Sequence, residues 1–189
     1  MVGLLLILNL FIAMPAQASF TIEDLLGGLK RTSALQSRYI EEKYLSFLTE
    51  PVVSEGTLTF RPPDRLERQV LRPKKETVII EGNFVSLQAV AGDPPLKVRL
   101  SDHPPLEALA TALRALFAGD KVGFLAIFTP HLTGSKKAWS LELRPKTPDL
   151  AKTLELLRLS GKDDSLESIE MVESNGDRTV TVLNPKAGT

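Results

Sequence analysis

Between Ile22 and Leu29 the apolar residues fall on one helical face. Ile22, Leu25, Leu26 and Leu29 recur at intervals of three and four, with Glu23, Asp24, Lys30 and Arg31 opposite, which predicts an amphipathic helix ending near Thr32. The period then shortens to two. Arg38 to Leu48, Glu55 to Phe60, Arg65 to Leu71, Glu76 to Glu81 and Phe84 to Val90 read as successive antiparallel strands. They are punctuated by Pro51, Pro62-Pro63, Pro73 and Glu81-Gly82-Asn83. Within this meander, Leu58 and Phe60 share one side of their strand, Gly56 suits a strand start or a bulge, and the two prolines close the strand.

The helical period returns at Asp102-His103-Pro104-Pro105, where a capping residue precedes prolines tolerated in a first helical turn. The helix expected there reaches about Gly119 and carries Leu106, Leu109, Leu113, Leu116 and Phe117 along one face. A shorter helical stretch is expected from Asp120 to Phe128, ending at Thr129-Pro130. Strands resume with the clean alternation of Trp139, Leu141 and Leu143, and continue through Thr153 to Leu159, Ser165 to Ser174 and Arg178 to Leu183. A two-residue turn at Asn175-Gly176 is expected to join the last pair. This order, helix, strands, helices, strands, predicts one antiparallel sheet that curls and whose concave face is covered by the central helices.

The first residues add an address. Val2 to Ala13 is almost wholly apolar and Ala16-Gln17-Ala18 is a small-x-small cleavage pattern, so residues 1–18 are expected to be a signal peptide and 19–189 a single exported domain in the periplasm. The apolar run falls short of the roughly 20 residues of a spanning helix. With no cysteine, the chain has neither disulfides nor a thiol for lipid attachment. Its 23 basic and 23 acidic residues cancel without a basic block, which argues against nucleic acid as a partner.

Little in the chain carries catalytic chemistry. Glycines such as Gly27-Gly28 and Gly92 lack the spacing of a phosphate loop or a nucleophile elbow, and Asp163-Asp164 and Glu167 read as acidic residues near a turn after Gly161. His103 and His131 are read as loop residues outside any metal-ligand spacing. Neither cofactor nor metal is expected, and an enzyme is not the reading. Glu41, Glu42, Lys43 and the pair Lys136-Lys137 are read as solvated faces.

One segment points to a family. Glu55-Gly56-Thr57-Leu58-Thr59-Phe60-Arg61-Pro62, followed by Arg65-Leu66-Glu67-Arg68, resembles the alternating strand and Arg-Pro segment of the periplasmic outer-membrane lipoprotein carriers, the LolA family. The order of elements over residues 20–183 is similar to that family as well. The resemblance implies an α+β fold, a curved, antiparallel, half-open β-barrel under an α-helical lid, with a hydrophobic cavity for acyl chains. It implies that Arg61 latches the lid by binding lid carbonyls. The candidate cavity and lid residues are Leu58, Phe60, Leu66, Leu109, Leu113, Leu116, Phe117, Trp139, Leu141 and Leu143. The implied partners are acylated cargo, an inner-membrane releasing transporter and an outer-membrane receptor, with the carrier itself a monomer.

Two departures qualify the match. Leu66 stands where the family has an aromatic, if one extra residue is allowed, and the chain stops at Asn184 to Thr189 where the family usually adds a strand. A carrier of another lipid, such as a polyene or glycolipid conjugate, and a lipid-sensing envelope regulator acting through a protein partner are the alternative readings.

Overall fold

The computed structural model describes residues 20–30, 34–88 and 94–184, so the expected signal peptide lies outside the described residues, as do Thr32, Ala89 and Val90. Thr21 opens the first helix, α1 (Ile22–Leu29), through a capping box: its hydroxyl accepts from the Asp24 amide at 3.2 Å, and the Asp24 carboxylate accepts from the Thr21 amide at 3.0 Å. The helix stops short of the expected end because Lys30 is already extended. Leu25, Leu26 and Leu29 are buried, each worth roughly 1.5–3 kcal/mol of apolar burial.

Six strands follow: β1 (Leu35–Tyr44), β2 (Val52–Arg61), β3 (Arg65–Arg72), β4 (Glu76–Glu81), β5 (Phe84–Gln88) and β6 (Leu96–Arg99). A 3-10 turn at Leu100–Asp102 leads into α2 (Pro104–Ala118) and α3 (Lys121–Ile127). The chain then returns through β7 (Phe128–Ser135), β8 (Ala138–Pro145), the short α4 (Pro148–Ala151), β9 (Leu154–Lys162), β10 (Ser165–Glu173) and β11 (Arg178–Leu183). Among the described residues, no helix is long and apolar enough to cross a membrane.

The described strands form one eleven-stranded sheet, antiparallel throughout, in the order β6-β5-β4-β3-β2-β1-β11-β10-β9-β8-β7. Its ends, β6 and β7, are not joined to each other, so the barrel is half open. Every neighbour in that order is also adjacent in sequence except β1 and β11, which meet along a seam from Tyr39↔Leu183 to Tyr44↔Arg178. The α+β half-barrel under helices is therefore the fold of this chain.

Other elements also depart from the sequence reading: α4 was not expected, and β1 starts and ends earlier than Arg38 and Leu48. β6 and β7 were not expected, and β7 places His131 in a strand rather than a loop. The β10–β11 connection has three loop residues instead of two: the Gly176 amide donates to the Glu173 carbonyl at 3.0 Å, and the Glu173 amide to the Asp177 carbonyl at 2.8 Å. Gly176 takes φ +90° there, the left-handed residue that follows a type I turn in such a hairpin.

The core lies between the concave face of the sheet and the helices. α2 crosses that face with Ala108, Ala110, Ala112, Leu113, Ala115, Leu116 and Phe117 buried. Its alanines let the helix lie close to the strands. α2 ends at Gly119 (φ +71°), where the Asp120 amide donates to the Ala115 carbonyl at 2.9 Å, and α3 begins at once with Asp120 as its cap.

Candidate functional site

The site is the space under α2. A cavity of about 90 Å³ lies between Leu106, Leu109 and Leu113 of the helix and Tyr39, Leu58, Leu66, Arg68, Val78 and Ile80 of the sheet, among others. A second, of about 30 Å³, adjoins it between Phe60, Leu66, Leu113 and Phe117. Phe60 and Phe117 stack across this gap with ring centroids 4.8 Å apart, joining lid to sheet. An enclosed apolar site of roughly 150 Å³ admits a benzene ring, so the larger cavity as it stands is a nucleus for binding and not a seat for a long chain.

The candidate residues divide by position. Leu58, Leu66, Leu109 and Leu113 line the larger cavity, and Phe60 and Phe117 line the smaller one. Leu116, Trp139, Leu141 and Leu143 line neither: they are fully packed core. Trp139 stacks over Gly161 and donates its indole N–H to the Asp163 carbonyl at 3.1 Å.

Arg61 does not reach the lid. Phe60 faces the core, and alternation along β2 sends Arg61 to the convex face, where its side chain is half exposed and donates to Glu67 at 2.8 Å. The bond between lid and rim runs in the opposite sense. Arg114, the single basic residue of α2, donates through Nε to the Asp64 carbonyl at 2.9 Å and through Nη2 to the Gly82 carbonyl at 3.1 Å. Asp64 lies in the β2–β3 turn and Gly82 in the β4–β5 turn, and the Asp64 carboxylate accepts from the Gly82 amide at 3.0 Å. One guanidinium thus ties the lid to two hairpin turns. Burial pushes the Arg114 pKa below its ordinary value while Asp64 opposes the shift, and the group remains charged. The signal for Arg114 was present in the sequence as the lone cation of a helical run whose other polar side chains are Glu107 and Thr111.

A polar cluster borders the larger cavity. Arg68 donates to Glu41 at 2.7 Å, to Ser54 at 3.0 Å and to Glu76 at 3.4 Å, and Thr181 donates to Glu41 at 3.0 Å. The Arg68 guanidinium also lies over the Tyr39 ring, 5.1 Å from its centroid. Glu41 therefore belongs to the inner face and not to a solvated one, whereas Lys136 and Lys137 pair at the surface with Asp164 and Asp163, each at 3.1 Å. Tyr39 can lie flat because its cross-strand partner is Gly56: a Cβ there would run into the Tyr39 ring and the Gln69 carbonyl. Gly56, expected at a strand start or a bulge, lies inside β2, and the register shift between Glu55 and Gly56 puts the extra residue, Leu71, on the facing strand β3. Tyr39 is 2% exposed, and its hydroxyl is the buried side-chain polar atom without a hydrogen-bond partner among the described residues, although Ser54 lies near it. Burial raises its pKa, which keeps it a neutral donor. No cluster of metal-ligating side chains is present among the described residues.

Comparison with known proteins places the chain by sequence. The family model described as outer membrane lipoprotein carrier protein LolA-like matches residues 13–189. No curated protein sequence is significantly similar. Among solved structures, a LolA superfamily protein from Nitrosomonas europaea superposes with a TM-score of 0.47 at 9% identity, covering 88% of this chain and 93% of that one. The MucA/MucB complex of Pseudomonas aeruginosa gives a TM-score of 0.46 at 12% identity over 86% of this chain and 55% of that one. A putative outer membrane lipoprotein-sorting protein domain from Vibrio parahaemolyticus gives 0.37 at 10% identity, over 82% and 86% of the two chains.

Proposed function

Because the chain belongs to the LolA-like family of outer membrane lipoprotein carrier proteins, we propose that it is an exported periplasmic carrier. It shields the acyl chains of a lipoprotein, or of a related lipid, between the concave face of its sheet and α2, and ferries them from the inner to the outer membrane. An inner-membrane releasing transporter would load it and an outer-membrane receptor would unload it. The role is one of binding, without catalysis.

The observation that supports this reading best is the state of the interior: an apolar site of about 90 Å³ under a helix whose charged tether to the rim is one arginine. Each methylene taken out of water is worth about 0.8 kcal/mol, so a sixteen-carbon chain gains on the order of 10 kcal/mol. A chain of that length fits only if α2 is displaced. Lifting α2 off the sheet breaks its packing and its tether, which offsets part of the gain and keeps the affinity low enough for release. A rigid, preformed cavity would hold its cargo too tightly to deliver it.

Native mass spectrometry of the protein purified from the envelope of its own host, followed by organic extraction, tests this. A stoichiometric acylated species is expected, and its mass separates lipoprotein from glycolipid or polyene cargo. A clean apo mass that persists after addition of lipid and lipopeptide would refute the carrier and favour a regulator acting through a protein partner.

A further inference from the structure

The inner face of the sheet changes character along β1. Its cross-strand pairs with β2 pass from Leu35–Phe60 through Ser37–Leu58 and Tyr39–Gly56 to Glu41–Ser54. The smaller cavity lies at the Phe60 end, beneath Phe117, and the larger one at the Tyr39 and Glu41 end, beneath Leu106 and Leu109. The space under the lid is thus apolar in the main, with charged side chains at the Tyr39 end alone: Arg68 and Glu41 line the larger cavity, and with Glu76 beside them their side chains are 26%, 19% and 34% exposed. An amphiphile fits this gradient in one orientation, with its tail toward Phe60 and Phe117 and its polar group beside Tyr39 and Arg68.

The cluster also specifies the polar group. Arg68 is committed to Glu41, Ser54 and Glu76, so one positive charge faces two negative ones. A free carboxylate or phosphate would meet net repulsion in a partly desolvated site. The unused function is the Tyr39 hydroxyl, a buried donor close to Ser54 that has no hydrogen-bond partner among the described residues. Buried polar groups are rarely left unpaired, and a group that is unpaired in the empty protein is the one a ligand can satisfy.

We propose that this cluster reads the junction between acyl chain and head group: Tyr39 donates to an uncharged acceptor, an ester or amide carbonyl, and the Glu41–Arg68–Glu76 array excludes free fatty acids. This inference rests on the acyl-binding reading above and adds to it the class of ligand and the residue that positions it. Both an acylglycerol and an acylated polypeptide carry such a carbonyl.

Equilibrium dialysis of the delipidated protein against radiolabelled 1-monopalmitoylglycerol, N-palmitoylglycinamide and palmitate at neutral pH tests it, in the wild type and in Tyr39→Phe. The wild type is expected to bind the two uncharged ligands at least about tenfold more tightly than palmitate. Tyr39→Phe is expected to weaken those two by about three- to tenfold, leave palmitate unchanged, and raise the thermal midpoint of the empty protein by removing an unsatisfied hydroxyl. A preference for the ester over the amide, or the reverse, would show which linkage the site reads; either supports the proposal. If Tyr39→Phe fails to fold, Arg68→Gln serves instead, since two carboxylates without their cation should widen the discrimination against palmitate. Acyl binding that ignores head-group charge and is unaltered in both variants overturns the proposal while leaving the carrier standing. Binding of none of the three ligands overturns both.

Discussion

Arg61 and Arg114 illustrate how position within an element decides what a guanidinium does. Arg61 follows the inward-facing Phe60, so it sits outside with Arg65 and Glu67 in an ion pair open to water. Such pairs are worth about 0–1 kcal/mol. Arg114 binds two carbonyls at a partly buried helix–turn junction, where each hydrogen bond to a charged donor contributes about 1.5–3 kcal/mol. Arg114→Met, which keeps the apolar stem, should therefore lower the urea-unfolding free energy by about 1–3 kcal/mol and speed amide exchange in α2. Arg61→Met should change the unfolding free energy by about 0.5 kcal/mol at most. A larger loss from Arg61 than from Arg114 would restore the latch to the position expected from the sequence. At Leu113, which lines both cavities and is 3% exposed, truncation to Ala should merge them and cost about 2–5 kcal/mol in the same assay.

At the scale of elements, Gly56 carries the clearest prediction. Gly56→Ala would press a methyl group against the Gln69 carbonyl and the Tyr39 ring, overpacking worth about 1–3 kcal/mol, and the strain should appear in the near-ultraviolet signal of the displaced tyrosine. An unchanged melting curve and tyrosine spectrum would mean that the ring does not rest on this glycine. The glycine and its strand were legible because alternation and turn residues coincide there. β7 was not legible, since Phe128 to Ser135 contains Pro130 and Gly134, residues that weaken strand propensity but are tolerated at a sheet edge. β6 has four residues, two of them basic, and gives almost no period to read. The polar cluster was hidden for a different reason. Its members come from β1, β2, β3, β4 and β11, and a charge in an isolated strand looks solvated until register shows which face it occupies. The helical lid, by contrast, was readable from Leu106 to Phe117 because its period lies within one element.

Across the whole molecule, β1 and β11 form the seam between two sequential meanders. Asp177, just before β11, fastens that seam by accepting from the Ser46 amide at 2.8 Å, just after β1. This bond, more than any other influence, holds the Asp177 carboxyl below its ordinary value. A depressed carboxyl stabilises the fold above the unfolded pKa, about 3.9, and loses that contribution as pH falls through the folded value. The melting temperature should therefore fall below about pH 4, and Asp177→Asn should flatten that part of the curve. A wild type and variant with parallel acid profiles would remove Asp177 from the seam.

The seam also bears on the order in which the fold can form. Each meander pairs strands that are neighbours in the chain, so its contacts close quickly, whereas β1 and β11 are separated by more than a hundred residues. A chain that crosses a membrane from its N-terminus presents β1 first and β11 last. Until the final strand arrives, β1 is an open edge beside an uncovered apolar face, the kind of surface to which foreign strands add. If the protein is exported as proposed, its secretion would pass through a vulnerable interval whose length is set by the time needed to deliver β11, and an escorting factor that occupies the β1 edge would act during that interval alone.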